Sequence, residues 1–335
     1  MKLIPEKVFV TGATGLLGQM LLKKLQEKKC KLGVLLEPAL KASCTFSSEI
    51  DVIVGDITQP ESYRYYLKDC TCVIHIAALT QVYPRSNPLC FKINTEAVNG
   101  LAQEVLKNGI QRFIHIGSAS SFGSGTKHRI NNEGSEFNLK AYRMDYINSK
   151  YEAQNLLLKL YKEQQLPVII INPTFMIGPY DRLPSSGKIL KALLSGTLPG
   201  FTRGGRSFVY SGDVADAIIN AMHLGRLGEC YITGGHNISY QQFFKMACSL
   251  YQKPFRLIQI PLIFTKALGL MGSIWARITK KPPVLSFGVS LLAGKYQYYS
   301  SEKAQNELNY RITPLNTAIK ESVDWMVENN VFTIK

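Results

Sequence analysis

A doubly wound parallel α/β sheet with a smaller C-terminal lobe is the architecture that this 335-residue sequence predicts, and three observations predict it. Over roughly the first half of the chain, short apolar runs alternate with stretches of helical period, as in successive βα units. Several of these runs are apolar throughout instead of alternating, the pattern of strands covered on both faces of a parallel sheet. The first run ends in a glycine-rich turn that leads directly into a helix, and such units close by right-handed crossovers.

In chain order, the strands are expected at Lys7–Val10, Leu32–Leu36, Val52–Val54, Cys72–Ile76, Arg112–Ile116 and Val168–Ile171. Helices are expected at Leu16–Lys29, Leu89–Lys107 and Tyr146–Glu163, the last built of good helix formers. After Asn172 the texture changes. Residues 178–212 are rich in Gly, Pro and Ser, and residues 255–300 are apolar with scattered Lys and Arg. The division that follows is a sheet domain over 1–175, which also receives a strand from about 208–235, and a mainly substrate-binding lobe over 176–335.

Composition sets the class. With 46% hydrophobic and 19% charged residues the chain is globular and not disordered. Its seven cysteines show no C-x-x-C pair and no regular spacing, which fits reduced buried thiols and neither a zinc site nor a disulfide framework. No signal h-region precedes the first strand and no uncharged apolar run is long enough to span a bilayer, so the expected location is cytoplasmic, with membrane-peripheral attachment as the alternative. The 39 Lys+Arg against 24 Asp+Glu leave an excess of 15 positive charges, spread along the chain and densest at Lys28, Lys29 and Lys31 and again at Lys280 and Lys281. A solvated basic surface accounts for this. So does attraction to a phosphate-bearing substrate or to an anionic membrane. No nucleic-acid-binding motif accompanies the charge.

Chemistry enters at Thr11-Gly12-Ala13-Thr14-Gly15-Leu16-Leu17-Gly18. Glycines between a strand and a helix permit a tight turn, let backbone approach a pyrophosphate, and allow close helix–strand packing, with the helix N-terminus facing the phosphates. A second pattern is Tyr-x-x-x-Lys. With 17 tyrosines in the chain about 1.4 such pairs arise by chance, and two occur, Tyr146/Lys150 and Tyr299/Lys303. Position separates them. Tyr146 and Lys150 lie one turn apart at the start of a long helix, after a strand ending in Gly117-Ser118-Ala119-Ser120-Ser121, whereas Tyr299/Lys303 has no such setting. A phenol of pKa about 10 needs a nearby positive charge to exchange protons at neutral pH.

TGATGLLG resembles the cofactor loop of the short-chain dehydrogenase/reductase superfamily, specifically its extended branch of NAD-dependent epimerase/dehydratase-like proteins, and the resemblance covers nearly the whole chain. It implies a Rossmann domain in which Gly12, Thr14, Gly15, Leu16, Leu17 and Gly18 hold the dinucleotide. Asp56 and Ile57 of Gly55-Asp56-Ile57-Thr58 would contact the adenine, and Ala77 and Ala78 of IHIAA would line the cofactor. Pro173 belongs to a segment, Asn172 to Pro179, that resembles the one closing over the nicotinamide. The same resemblance implies Tyr146 as acid/base, Lys150 on the nicotinamide ribose and Asn94 as a further catalytic-site residue. It implies Ser118 as the serine holding the substrate oxygen, with Ser120 replacing it if the register shifts. It also implies a homodimer through the Tyr146 helix and the helix before it.

Glu37 lies 19 residues beyond Gly18, where an acid bonds the adenosine ribose and repels a 2′-phosphate. This favours NAD over NADP, although Lys41 is close enough in sequence to neutralise a phosphate. For substrate, two groups within the superfamily compete. Gly205-Arg206-Ser207-Phe208 resembles the segment in nucleotide-sugar epimerases whose arginine grips a diphosphate, so Arg206 is a candidate substrate residue. Against that, Ser290–Lys295 lacks the second arginine of those enzymes, and Ala119 and Ser120 replace the acids found in dehydratases. The alternative likeness is to 3β-hydroxysteroid-dehydrogenase and dihydroflavonol-reductase-like proteins. It implies hydride exchange with a secondary alcohol or ketone of a hydrophobic small molecule. Residues 257–294 suit an apolar pocket, an amphipathic helix on a membrane, or plain core packing of the lobe. A catalytically silent cofactor-binding scaffold or sensor is the third reading.

Overall fold

The computed structural model describes residues 7–42, 44, 46–182, 186–283 and 285–334. The chain begins β1 (Lys7–Thr11), α1 (Leu16–Glu27), β2 (Lys31–Leu36), β3 (Ile50–Val54), α2 (Arg64–Leu67), β4 (Cys72–His75), α3 (Leu89–Phe91), α4 (Ala97–Lys107), β5 (Arg112–Ile116), α5 (Asp145–Gln164) and β6 (Val168–Pro173). It continues through β7 (Phe175–Ile177), α6 (Lys188–Leu194), β8 (Gly200–Phe201), β9 (Gly205–Tyr210), α7 (Ser211–Leu224), β10 (Cys230–Thr233), β11 (His236–Ser239) and α8 (Tyr240–Leu250). The C-terminal part supplies β12 (Ile258–Gln259), α9 (Leu262–Thr279), α10 (Phe287–Leu292), β13 (Tyr296–Gln297), α11 (Glu302–Leu308) and α12 (Leu315–Glu328).

Seven parallel strands form the main sheet in the order β10-β6-β5-β4-β1-β2-β3. The chain builds outward from β1 to β3, then returns to β4 on the other side of β1. Strand order therefore reverses between β1 and β4, and in such sheets ligands bind beyond the carboxyl ends of the strands at the reversal. The apolar runs are buried as a parallel sheet requires, with Val8, Phe9, Val10, Val73 and Ile74 inaccessible to solvent. One core cluster joins α1 and α7 to one face of the sheet, and another joins α4 and α5 to the other. The run at β3 departs from expectation. Val52 and Val54 are exposed, because β3 is the sheet's edge.

A smaller sheet, β11-β9-β13 with β7 paired to β9, carries the lobe. Its core gathers Phe208, Phe243 and Ile319, with the first two rings stacked at 3.9 Å. The helix expected over Leu89–Lys107 is interrupted by one π turn at Lys92–Glu96, a feature frequent at functional sites.

Candidate active site

The three glycines of the first loop are there for three different reasons. Gly12 has φ of +75°, and a Cβ on it would fall 2.4 Å from the Ala77 backbone nitrogen. A Cβ on Gly18 would fall 2.2 Å from the Gly12 carbonyl oxygen, so helix α1 can pack against the loop only with glycine there. At Gly15, among the described residues, a Cβ would meet only the Gly12 oxygen, at 3.9 Å. Fold packing does not demand that third glycine. The open space beside it leaves room for a ligand to approach the backbone. Gly15 is also the N-cap of α1 and offers no side-chain cap, and no acid lies in the first turn, so no side chain of the helix's own first turn neutralises the positive end of its dipole. The loop therefore fits a dinucleotide pyrophosphate.

The flanking positions lie at the same edge of the sheet. Glu37 follows β2 and is exposed, as is Lys41. Asp56 follows β3, and its carboxylate accepts from the Thr58 N–H at 2.8 Å and the Thr58 hydroxyl at 2.9 Å. Ile57 is buried in the core. Ala77 and Ala78 continue from β4, and the Ala77 N–H donates to the Thr11 hydroxyl at 3.3 Å. Thr14 is half-buried in the loop itself, and Pro173 ends β6.

Ser118, Tyr146 and Lys150 converge where β5 meets α5. Ser118 caps a short 3-10 turn over Ala119–Phe122, and its hydroxyl lies 2.8 Å from that of Ser120. Both serines thus stand on one side of the turn. Burial holds the Tyr146 phenol above its usual pKa, while a hydrogen bond with the Ser118 side chain and the Arg206 charge pull it partly back. The cation acting on Tyr146 is Arg206. Lys150, the ammonium expected in that role, is turned into the fold and donates to the Ile116 carbonyl at 2.8 Å. Burial pushes its pKa down to about 8.

Asn94 lies in the π turn and is buried. Its side-chain oxygen accepts from the Leu79 N–H at 2.8 Å, and its amide donates to the Leu79 carbonyl and to the Ser149 hydroxyl at 3.1 Å. Ser149 in turn donates to the Tyr146 carbonyl at 3.0 Å. Asn94 thereby ties the helix before α5 to the turn of α5 that separates Tyr146 from Lys150.

Tyr146 packs, partly buried, against an apolar cluster of Leu139, Met144, Ile147 and Leu292, as do Val82 and Phe137. Arg206 projects from β9, donates from Nε to the Tyr240 hydroxyl at 2.9 Å, and stacks its guanidinium over Phe175 at 4.9 Å. The second Tyr-x-x-x-Lys pair is engaged elsewhere. Tyr299 donates to the Gly123 carbonyl at 2.6 Å, and Lys303 pairs with Glu229. A cavity of about 740 Å³ bordered by Glu133, Gln154, Cys230 and Lys303 is lined by none of Ser118, Tyr146, Lys150 or Arg206. Among the described residues no His/Cys/Asp/Glu group is arranged to hold a metal.

Sequence reading misses two supports of this site. Asn172, fully buried, donates to the Ser118 carbonyl at 3.1 Å and to the Gln154 side chain at 2.8 Å. A Cβ on Gly117 would come within 2.6 Å of that same amide. The spacing Lys150 to Gln154, one turn along the helix, was the available signal. The second support is the pair His75 and His115, stacked at 5.4 Å and near enough to Lys150 to feel its charge. Burial and the Lys150 charge hold His75 down to about 3 and His115 well below its usual value, so both are neutral. Neutral rings leave Lys150 as the cation of this buried group.

The family model for the NAD dependent epimerase/dehydratase family matches residues 8–234. UDP-glucose 4-epimerase of Vibrio cholerae is 27% identical over 279 residues, covering 79% of this chain and 82% of its own. Human (Homo sapiens) 3 beta-hydroxysteroid dehydrogenase type 7 is 25% identical, covering 90% of each chain. The crystal structure of gox2253 superposes with a TM-score of 0.86 at 26% identity, over 98% of this chain and 100% of that one.

Proposed function

The chain belongs to the NAD dependent epimerase/dehydratase family, within the extended short-chain dehydrogenase/reductase superfamily, and from that premise we propose that it is an NAD-dependent oxidoreductase acting on a secondary alcohol or ketone of a hydrophobic molecule. The observation that carries the substrate class is the apolar cluster of Leu139, Met144, Ile147 and Leu292 against which Tyr146 packs. The glycine loop, α1 and Glu37 would hold NAD, which when bound supplies the hydride acceptor or donor. Tyr146 would pass a proton between its phenolic oxygen and the substrate oxygen, protonating an alkoxide in one direction and deprotonating an alcohol in the other. Ser118 would hold that oxygen by a hydrogen bond. Lys150, charged below about pH 8, would donate to the ribose side of the site, and Asn94 would fix the helix turn carrying both.

Ligand-dependent thermal stability tests this reading. NAD⁺ or NADH at 100 times its Kd should stabilise the fold by about 2.7 kcal/mol, more than NADP(H) at equal concentration, with no further gain from UDP-glucose or UDP-N-acetylglucosamine. Ketone reduction should then be found among apolar substrates. A clear added shift with a UDP-sugar would move the assignment to nucleotide-sugar epimerase, the second reading, which rests on Arg206 lying close enough for its charge to lower the Tyr146 pKa. No shift with any dinucleotide would count against all three readings, the cofactor-binding scaffold included.

Arg206→Ala separates the two enzymes further. For an apolar ketone, KM should change by no more than about threefold, since a uniform-binding contact to phosphate is not being lost. The basic limb of the pH profile should move to higher pH, because removing a cation that lowers the Tyr146 pKa raises it. A KM increase of about 100-fold with an unmoved pH profile would assign Arg206 to a diphosphate instead.

A further inference from the structure

Helix α9 carries its large side chains on the outside. Its buried positions are Thr265, Gly269 and Ala276. Those small residues let it lie close against α10 and the segment before it. A Cβ on Gly269 would come within 2.6 Å of the Ser290 hydroxyl, and one on Gly272 within 2.5 Å of the Leu285 carbonyl oxygen. At roughly 100° per residue, the side opposite this stripe is an arc of about 160° holding Ile263, Phe264, Met271, Trp275 and Ile278, among others. They are open to solvent, Ile263 at 74%, Trp275 at 67% and Ile278 at 70%. A helix on the surface of a globular protein has the reverse arrangement, and contiguous exposed apolar area marks an interaction site.

Charge says what lies against it. From Cys230 to Ser301, a span of 72 residues, the chain has eight lysines and arginines and no aspartate or glutamate. More than half of the whole chain's excess of 15 positive charges falls in that span. Lys266 and Arg277 are exposed at one edge of the apolar arc, and Lys280 and Lys281 are exposed just past the helix end. An apolar groove on another protein would match the arc and leave the cations without partners. Hydrocarbon beneath anionic headgroups matches both at once. Among the described residues no helix is long and apolar enough to cross a membrane, so the fit is to an orientation along the surface.

We propose that α9 lies in the plane of an anionic lipid bilayer, with its Ile263–Ile278 arc in the acyl boundary and Lys266, Arg277, Lys280 and Lys281 on the headgroups. This inference does not depend on the substrate proposed above. The test uses the full chain carrying Trp325→Phe, which leaves Trp275 as its one tryptophan, mixed with vesicles of equimolar phosphatidylcholine and phosphatidylglycerol or of phosphatidylcholine alone. The protein should sediment with the anionic vesicles while Trp275 emission moves to the blue. Lys280→Gln/Lys281→Gln should weaken that partition on the order of tenfold or more, as should raised salt. Ile263→Ser/Met271→Ser should abolish it with NAD-dependent stabilisation unchanged, because both side chains face solvent. Absence of sedimentation would overturn the proposal. So would equal, salt-insensitive binding to both vesicles. A Trp275 emission already blue without lipid, reverting as the protein is diluted, would overturn it too, assigning the face to a second copy of the chain.

Discussion

Replacing Tyr146 with phenylalanine is expected to cut kcat by about 10²–10⁴-fold while leaving NAD-dependent thermal stabilisation intact. The argument is one of position and packing. The ring of Tyr146 sits against Leu139, Met144 and Ile147, and phenylalanine fills the same volume, so the fold and the glycine loop are undisturbed. Only the hydroxyl is lost, and with it the group that shares a hydrogen bond with Ser118 and feels the Arg206 charge. Tyr299→Phe is the matching control. Its hydroxyl is also buried and donates to the Gly123 carbonyl, so its removal leaves that oxygen unpaired at a cost of about 1–3 kcal/mol. Tyr299→Phe should therefore lower Tm with the rate per folded molecule unchanged, and Tyr146→Phe should do the opposite. If Tyr146→Phe kept its rate within tenfold, the proton would pass through another group and Tyr146 would not be the acid/base.

Those two tyrosines also mark how far sequence carries. The same Tyr-x-x-x-Lys pattern stands at both places, and only the preceding strand and the long helix single out the first as a candidate site. The fold was legible because burial on both faces leaves a signature at Val8–Val10 and Val168–Ile171 that local physics writes directly. The glycine loop was legible because its spacing encodes a turn, a packing contact and an open approach. Pairings distant in sequence leave no such trace. Asn172 meets Gln154 and the Ser118 carbonyl only after β5, α5 and β6 have assembled, and His75 meets His115 only across neighbouring strands. The π turn around Asn94 was invisible because one extra residue in a helical repeat does not alter composition. Helix α9 illustrates a different limit. Its apolar content was plain, but periodicity alone cannot say whether the small face or the large face is buried. The small face won, through close contact at Gly269 and Gly272. The basic excess likewise read as spread along the chain, while the absence of acids from 230 to 301 gives it a location.

Lys150→Met should stabilise the protein at pH 7 while removing most of its activity. Lys150 is buried, and burial lowers its pKa from 10.5 to about 8. That difference corresponds to about 3 kcal/mol spent keeping the group charged inside the fold. Methionine has a similar length and no charge, so the cost disappears. The Ile116 carbonyl then loses its donor, which returns about 1–2 kcal/mol, and a net gain of about 1–2 kcal/mol remains. The sign of the pH dependence is fixed by the direction of the shift. Below about pH 8 both folded and unfolded wild-type chains hold the proton, and the full cost is present. Between about 8 and 10.5 the unfolded chain holds a proton that the folded chain has released, so wild-type stability from this group rises with pH. The advantage of Lys150→Met should accordingly shrink across that window and turn into a deficit of about 1–2 kcal/mol above it, where only the lost hydrogen bond to Ile116 remains, as read from denaturant midpoints at several pH values. A variant less stable than wild type at pH 7, or one whose advantage stays constant to pH 10.5, would show that the ammonium is not held at a cost. His75 and His115 strengthen the case, because Lys150 also depresses both of them and three neighbouring groups thus compete for one positive charge. A fold selected for stability alone would place an apolar side chain at this position. A charged one, one helical turn from Tyr146 and against the end of β5, is what the proposed role of Lys150 toward a bound dinucleotide requires, and loss of activity in Lys150→Met at unchanged or raised stability would support that role.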